Sequence, residues 1–215
     1  MSGTGAGRVL LATRNAKKLA ELQRLVGDQV TVLGLADVPE FPEEPETGAT
    51  FEENAAAKAV QAAAATGEIA LADDSGLTVA ALNGMPGVLS ARWAGRHGDD
   101  AANNALLLAQ LRDVPDGRRG AAFVCALALA VPDRIPGPAV EVLRAEWPGR
   151  IDREERGEHG FGYDPLFVPA ESDAAGDGRS SAELQPAEKD ALSHRGRALR
   201  LMLPRLLGVL ADPDR

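Results

Sequence analysis

Apolar residues come in two rhythms along this chain. Arg8-Val-Leu-Leu-Ala12, Val30 to Leu35 and Ile69 to Ala72 are short, dense apolar runs bounded by polar residues, the pattern of buried strands. Ala16 to Val26 instead places Leu19, Leu22, Leu25 and Val26 on one face of a helix. A second helix is predicted from Thr50 to about Ala65, with Thr50 as N-cap, Glu53 closing a capping box, and Thr66-Gly67 as the stop. Leu77 to Leu82 is strand-like, Asn83 to Gly87 is a turn cluster, and Asp99 to Leu111 is an amphipathic helix. Ala121 to Val131 and Ala139 to Trp147 read as an antiparallel hairpin across the Pro132 to Pro138 loop, a candidate second lobe. Glu171 to Ser181 is polar and expected to be mobile. The chain turns helical from Pro186, with a last helix from Arg197 to Leu210.

Composition narrows the class. With 215 residues the chain suits one large domain or two closely joined lobes. Aromatics make up 4% of it, so an aliphatic core is expected. A net charge of −9 argues against a nucleic-acid or anionic-membrane binder, which needs a basic face, but leaves room for an anionic small molecule in a local basic pocket. Cys125 sits in an apolar run and reads as a small buried hydrophobe. Met1 to Gly7 is small and polar without an apolar signal core, and no run approaches a membrane span, so a cytoplasmic protein is expected. Of 23 basic residues only Lys17, Lys18, Lys58 and Lys189 are lysine. In a chain that otherwise uses arginine, those positions are candidates for sites that need a compact ammonium.

The densest chemistry follows the Ile69 to Ala72 run. Asp73 and Asp74 stand side by side before Ser75 and Gly76, which reads as a strand ending in a tight turn at the carboxyl edge of a sheet. Adjacent carboxylates repel and call for a cation or hydrogen bonds. A divalent metal completed by substrate phosphates would answer that need, and so would an ordinary Asp-rich turn. Thr13-Arg14-Asn15 lies between strand and helix, where backbone N–H groups and the helix dipole favour an anion, with Lys18 in the first turn. A plain capped helix has the same pattern. Lys58, two turns into its helix, either projects towards the Asp pair or faces solvent. Gly160-Phe161-Gly162-Tyr163-Asp164 sets an aromatic on a turn, either to stack on a planar base whose edge Asp164 binds or as a packing plug. Lys189, His194 and Arg195 form a basic cluster; alone, His194 reads as a surface or capping histidine.

Taken in order, six segments resemble the inosine triphosphate pyrophosphatase family over nearly the whole chain. They are Thr13 to Lys18, Glu46-Thr-Gly-Ala-Thr-Phe-Glu-Glu-Asn54, Ala72-Asp-Asp-Ser-Gly76, Pro86-Gly-Val-Leu-Ser-Ala-Arg92, Gly160-Phe-Gly-Tyr-Asp-Pro165 and Ser193-His-Arg-Gly196. The resemblance implies one α/β domain over 1–215, an elongated mixed twisted sheet flanked by helices, in two lobes with an active-site cleft between them. Residues 1–7 are expected to be disordered. It implies Mg²⁺-dependent hydrolysis of non-standard purine nucleoside triphosphates (ITP, dITP, XTP) to the monophosphate and pyrophosphate by a homodimer. Phosphate contacts fall on Thr13, Asn15 and Lys18, with Arg14 in the same turn, and on Lys58 and Lys189; Lys17 is left to solvent. Asp74 matches the general base with Asp73 beside it, Glu46 and Asp74 the metal ligands, and Ser75 a substrate contact. Phe161, Gly162, Tyr163 and Asp164 match the base pocket, with His194 and Arg195 reading the purine. The acidic, proline-containing stretch Glu40 to Pro45 departs from the family pattern and leaves Glu43, Glu44 and Glu46 as competing metal ligands. The alternatives are a pyrophosphatase for other modified nucleotides and a silent nucleotide sensor. A sensor needs no general base, so the retained acids weigh against it.

Overall fold

The computed structural model describes residues 7–14, 16–27, 30–132 and 139–211. Strands β1 (Gly7–Leu11) and β2 (Val30–Leu33) flank helix α1 (Ala16–Val26) in sequence and run parallel, with Val9 opposite Val32. β1 also pairs in parallel with β3 (Ala70–Val79), Leu10 opposite Ala70. β4 (Gly120–Val131) and β5 (Ala139–Ile151) follow, and β6 (Phe167–Pro169) closes the sheet antiparallel to β5. The order is β2-β1-β3-β4-β5-β6, a mixed sheet flanked by helices, as expected. The 133–138 connection and residues 1–6 lie outside the described residues; Gly7, expected to be disordered, opens β1 instead.

Helix α2 (Phe51–Thr66) shows how local sequence sets its ends. Thr50 accepts a hydrogen bond from the Glu53 N–H, and Gly67 closes the helix by donating to Ala63 O. The Glu53 carboxylate reaches back to the N–H of Ala49 rather than Thr50, so the capping box is displaced by one residue. Its buried face is Phe51, Asn54, Ala55, Ala59, Ala62 and Ala63, at helical spacing.

β3 corrects one expectation. Asp73-Asp74-Ser75-Gly76 is not a turn, because the strand runs on from Ala70 to Val79 before a short 3-10 turn at Ala80–Leu82. Both carboxylates find donors on neighbouring helices, and those tertiary contacts override the turn preference of the sequence.

The chain divides into two compact units. The first draws on residues 1–74, 126–144 and 198–215, the second on 75–125 and 145–197. The first has the expected aliphatic core, including Val9, Leu10, Leu22, Met202 and Leu206. The second does not. Its core gathers Phe123, Trp147, Tyr163 and Phe167 around Leu77, Leu107 and Ile151. Phe123 and Phe167 lie 4.6 Å apart between ring centres. The few aromatics are concentrated in one unit rather than absent from the core.

The second unit also holds α3 (Asp100–Gln110), capped by Asp99, and α4 (Ala170–Ala175). The segment expected to be mobile is therefore partly helical, and Ser180 and Ser181 within it are fully buried. α5 (Pro186–Leu192) leads to α6 (His194–Ala211), which starts three residues earlier than expected. Ser193 makes the difference: its Oγ accepts from Gly196 N–H and its carbonyl from Arg197 N–H. His194 and Arg195 therefore belong to the first turn of α6. No described helix is long and apolar enough to cross a membrane.

Candidate active site

In the first unit, three sequence-predicted residues converge on one ammonium. Lys58 Nζ lies 2.8 Å from Glu46 Oε1, 2.7 Å from the carbonyl oxygen of Asp73 and 3.9 Å from Asp74 Oδ1. Burial alone would lower the Lys58 pKa, but Asp74, Glu46 and Asp73 together outweigh it and hold the pKa above its ordinary value. Lys58 is therefore a fixed cation, not a solvent-facing one.

Because successive strand side chains point to opposite faces, the two aspartates part company. Asp73 Oδ2 takes a hydrogen bond from Lys18 Nζ on α1 at 2.7 Å. Asp74 Oδ2 takes one from Asn54 Nδ2 on α2 at 2.9 Å. Both carboxylates are buried. Burial pushes the Asp74 carboxyl above the usual aspartate range, against the opposing pull of Lys58 and Asn54. Asn54 ends the Glu46 to Asn54 segment, whose pattern assigns it no role. It is 3% exposed, and while its amide holds Asp74, its Oδ1 accepts the Gly48 N–H at 2.8 Å.

The three competing acids have different partners. Glu43 pairs with Arg14 at 2.7 Å, the backbone N–H of Glu44 bonds Gln61, and only Glu46 among the three contacts Lys58. Among the described residues no group of three His, Cys, Asp or Glu side chains converges as a metal cage. Glu46 and Asp74 nonetheless offer hard oxygen donors on either side of the Lys58 ammonium, 2.8 and 3.9 Å from it, and a Mg²⁺ that keeps water and takes phosphate oxygens needs no more than one or two carboxylates. The donor set fits such an ion. α1 carries no acidic residue in its first turn, which suits an anion there. A cavity of about 650 Å³ opens beside it, lined by Thr13, Arg14, Leu19, Gly34, Asp37 and Glu43 among others. Asn15 and the side chain of Lys17 lie outside the described residues.

In the second unit, Ser75 is half-buried on β3, and the glycine turn presents Phe161 as one of its few exposed large apolar side chains, 37% accessible. The Arg195 guanidinium carbon lies 5.1 Å and Lys189 Nζ 5.6 Å from the ring centre, within cation–π range. Asp164 was expected to bind a base edge, but it faces the interior. It is 3% exposed; its Oδ2 takes the Phe161 N–H at 2.8 Å and Lys189 Nζ, and its Oδ1 takes Ser181 Oγ at 2.8 Å. The carboxylate is a hub that shapes the turn. A side chain at Gly160 (φ +84°) would place its Cβ 2.1 Å from Asp164 Oδ2, so only glycine lets the loop close over it.

Two more residues differ from expectation. Tyr163 is buried, with its hydroxyl donating to Ser90 O at 2.9 Å; burial, helped by Asp100, pushes its phenol above the ordinary range. It anchors the turn from below and presents no ring to a ligand. His194 is buried rather than at the surface, stacked 5.0 Å from Phe123 at 13°. Of the predicted base-pocket residues, Phe161 and Gly162 stay on the turn with Arg195 over the ring, and Tyr163 and Asp164 turn inward; Lys189, expected as a phosphate contact, instead pairs with Asp164 and lies over Phe161.

Comparison with known proteins covers both units. The chain is 65% identical over 209 residues to the dITP/XTP pyrophosphatase of Nocardia farcinica, covering 95% of this chain and 97% of that one. It is 62% identical over 203 residues to the dITP/XTP pyrophosphatase of Mycobacterium tuberculosis, covering 93% and 95%. The crystal structure of a nucleoside-triphosphatase, dITP/XTP pyrophosphatase, from Mycobacterium abscessus matches with TM-score 0.74 at 58% identity, over 92% of this chain and 99% of that one. A HAM1 protein from Coxiella burnetii matches with TM-score 0.81 at 43% identity, over 94% and 99%. A sequence model of the Ham1 family matches residues 9–205, from within β1 to within α6. With β2 to β6, the lysine–carboxylate cluster and the glycine turn inside that match, the chain belongs to the Ham1 family.

Proposed function

We propose that this protein is a nucleoside triphosphate pyrophosphatase that hydrolyses non-standard purine nucleotides (ITP, dITP, XTP) to the monophosphate and pyrophosphate. The observation that carries the reading is Lys58, held protonated between Glu46 and Asp74 beside a strand–turn–helix suited to phosphate. Relatives at 58–65% identity that are named dITP/XTP pyrophosphatases support the substrate class.

In this reading Asp74 accepts the proton of the water that attacks the α-phosphorus. What favours Asp74 over Asp73 is that Asp73 is already ion-paired to Lys18, whereas burial raises the proton affinity of Asp74. When bound by Glu46 and Asp74, Mg²⁺ supplies charge neutralisation for the triphosphate oxygens. Lys18, Lys58 and Thr13 orient the phosphates, and the two lysines stabilise charge gathering on the leaving pyrophosphate. Asn15 and Arg14 add phosphate contacts, and Ser75 contacts substrate.

The base stacks on Phe161, and Arg195 donates to the 6-oxo group of hypoxanthine or xanthine. Adenine offers a 6-amino group there and leaves that donor unpaired, which costs roughly 1–3 kcal/mol. Lys189, tied to Asp164, holds the cationic side of the pocket, and His194 supports Arg195 from within α6. The working form is a cytoplasmic homodimer that cleanses the nucleotide pool, with no nucleic-acid or membrane partner.

The deciding experiment is a Mg²⁺-dependent hydrolysis panel of ITP, XTP, GTP, ATP and dTTP, scoring pyrophosphate against orthophosphate. Pyrophosphate from ITP and XTP alone supports the reading. Orthophosphate as first product would move the cut to the γ-phosphate and overturn it, and tight ITP binding without turnover would leave a sensor.

A further inference from the structure

The ring of Phe161 stands on a turn gripped from α3. The N–H of Gly162 donates to Asp100 Oδ2 at 2.7 Å, and the Gly162 carbonyl accepts from Asn104 Nδ2 at 3.2 Å. Asp100 and Asn104 are four residues apart, so they rise from one face of the helix and meet the next residue of the turn after Phe161 on both its peptide groups. Gly162 has φ +61°, a conformation that needs holding if the ring before it is to keep one orientation.

Asn104 shows that the grip comes at the expense of packing. It is 3% exposed and lies on the inward face of α3 with Leu107, where an apolar side chain is the ordinary choice. Its Oδ1 is buried and finds no hydrogen-bond donor among the described residues. A buried, unsatisfied acceptor is unfavourable. Leucine would avoid that penalty but would leave the Gly162 carbonyl without its donor. The amide at this position has one visible use, and it is the turn.

We propose that Asp100 and Asn104 are positioning residues for base recognition: they clamp Gly162 so that Phe161 presents a fixed face to the purine. The proposal rests on the reading of Phe161 as the stacking ring. A clamp of this kind acts on substrate affinity through Phe161 and leaves the phosphate chemistry alone, whereas a merely structural pair would change stability without touching the base.

The test is a double-mutant cycle in steady-state kinetics with ITP, on the full chain with Mg²⁺. Asp100→Ala is expected to raise KM about three- to tenfold, the worth of one hydrogen bond, with kcat nearly unchanged. Asp100→Asn keeps an acceptor oxygen and is expected to restore the KM. Phe161→Ala should raise KM at least as much, and adding Asp100→Ala to it should have no further effect. Asn104→Ala should follow the same pattern, and Asp100, exposed on the first turn of α3, keeps the test open if that variant fails to fold. If Phe161→Ala raises KM while Asp100→Ala leaves it unchanged, or if the two effects add, the clamp is overturned and the stacking reading stands. If Phe161→Ala itself leaves KM unchanged, the stacking reading falls and the clamp with it.

Discussion

Asp73 and Asp74 are neighbours in sequence but serve opposite faces of β3: Asp73 meets Lys18 on α1, and Asp74 meets Asn54 on α2. The pleat gives the two like charges different partners, although Asp73 still helps to raise the Asp74 carboxyl. Asp73 is neutralised by its ion pair with Lys18. At Asp74, burial outweighs the help it receives from Lys58 and Asn54.

Asp74→Asn should cut turnover by about 10²–10⁴-fold, the usual contribution of a positioned acid or base. It should also stabilise the protein at neutral pH. A carboxyl whose pKa is raised by folding contributes stability that is present in acid and lost as pH rises through the folded value, so ionised Asp74 is a burden near neutrality. Melting curves of both proteins in chelator should differ most near pH 7 and converge in acid. A variant less stable than wild type at pH 7 would contradict this assignment.

Asp73→Asn should do the reverse. It removes the partner of a Lys18 side chain that is 20% exposed, and should lower stability by about 1–3 kcal/mol, the range for hydrogen bonds to charged groups. Denaturant titration at pH 7 checks the sign, which is opposite to that of Asp74→Asn.

Glu46→Ala and Glu43→Ala should separate cleanly. Glu43 pairs with Arg14, and both side chains are well exposed (44% and 74%), so its loss should change activity by less than about twofold, as exposed pairs contribute little. Glu46 touches Lys58, and its loss should lower activity at least about 100-fold and weaken the response to added Mg²⁺. Titrating Mg²⁺ against rate for both variants is sufficient.

Tyr163→Phe should lower stability by about 1 kcal/mol through loss of the hydrogen bond to Ser90 O while leaving the ratio of ITP to ATP turnover unchanged. A changed ratio would place the Tyr163 hydroxyl at the base after all.

The legible parts of this fold were those with local causes. α2 was readable because Thr50, Glu53 and Gly67 mark its ends, and α1 because Leu22 and Val26 repeat at helical spacing. β3 resembles a turn in sequence because the residues that keep it straight are remote: Lys18 is 55 positions from Asp73, and Asn54 is 20 from Asp74. The site residues were visible as types, but their orientation was not. Whether Asp164 faces a ligand or the interior depends on Ser181 and Lys189, and His194 is turned inward by Phe123. Asn104 did leave a trace, since it falls on the same helical face as Leu107 and Leu111, where a polar residue needs a reason.

Three of the chain's four lysines, Lys18, Lys58 and Lys189, are ion-paired within the proposed site. Acylating or cross-linking reagents aimed at primary amines would therefore act on this protein as inhibitors rather than neutral labels. Bound nucleotide should shield those amines, and unfolding should release them. Tethering to a surface or a dye is better directed at the 32 acidic side chains, most of which lie outside the proposed site.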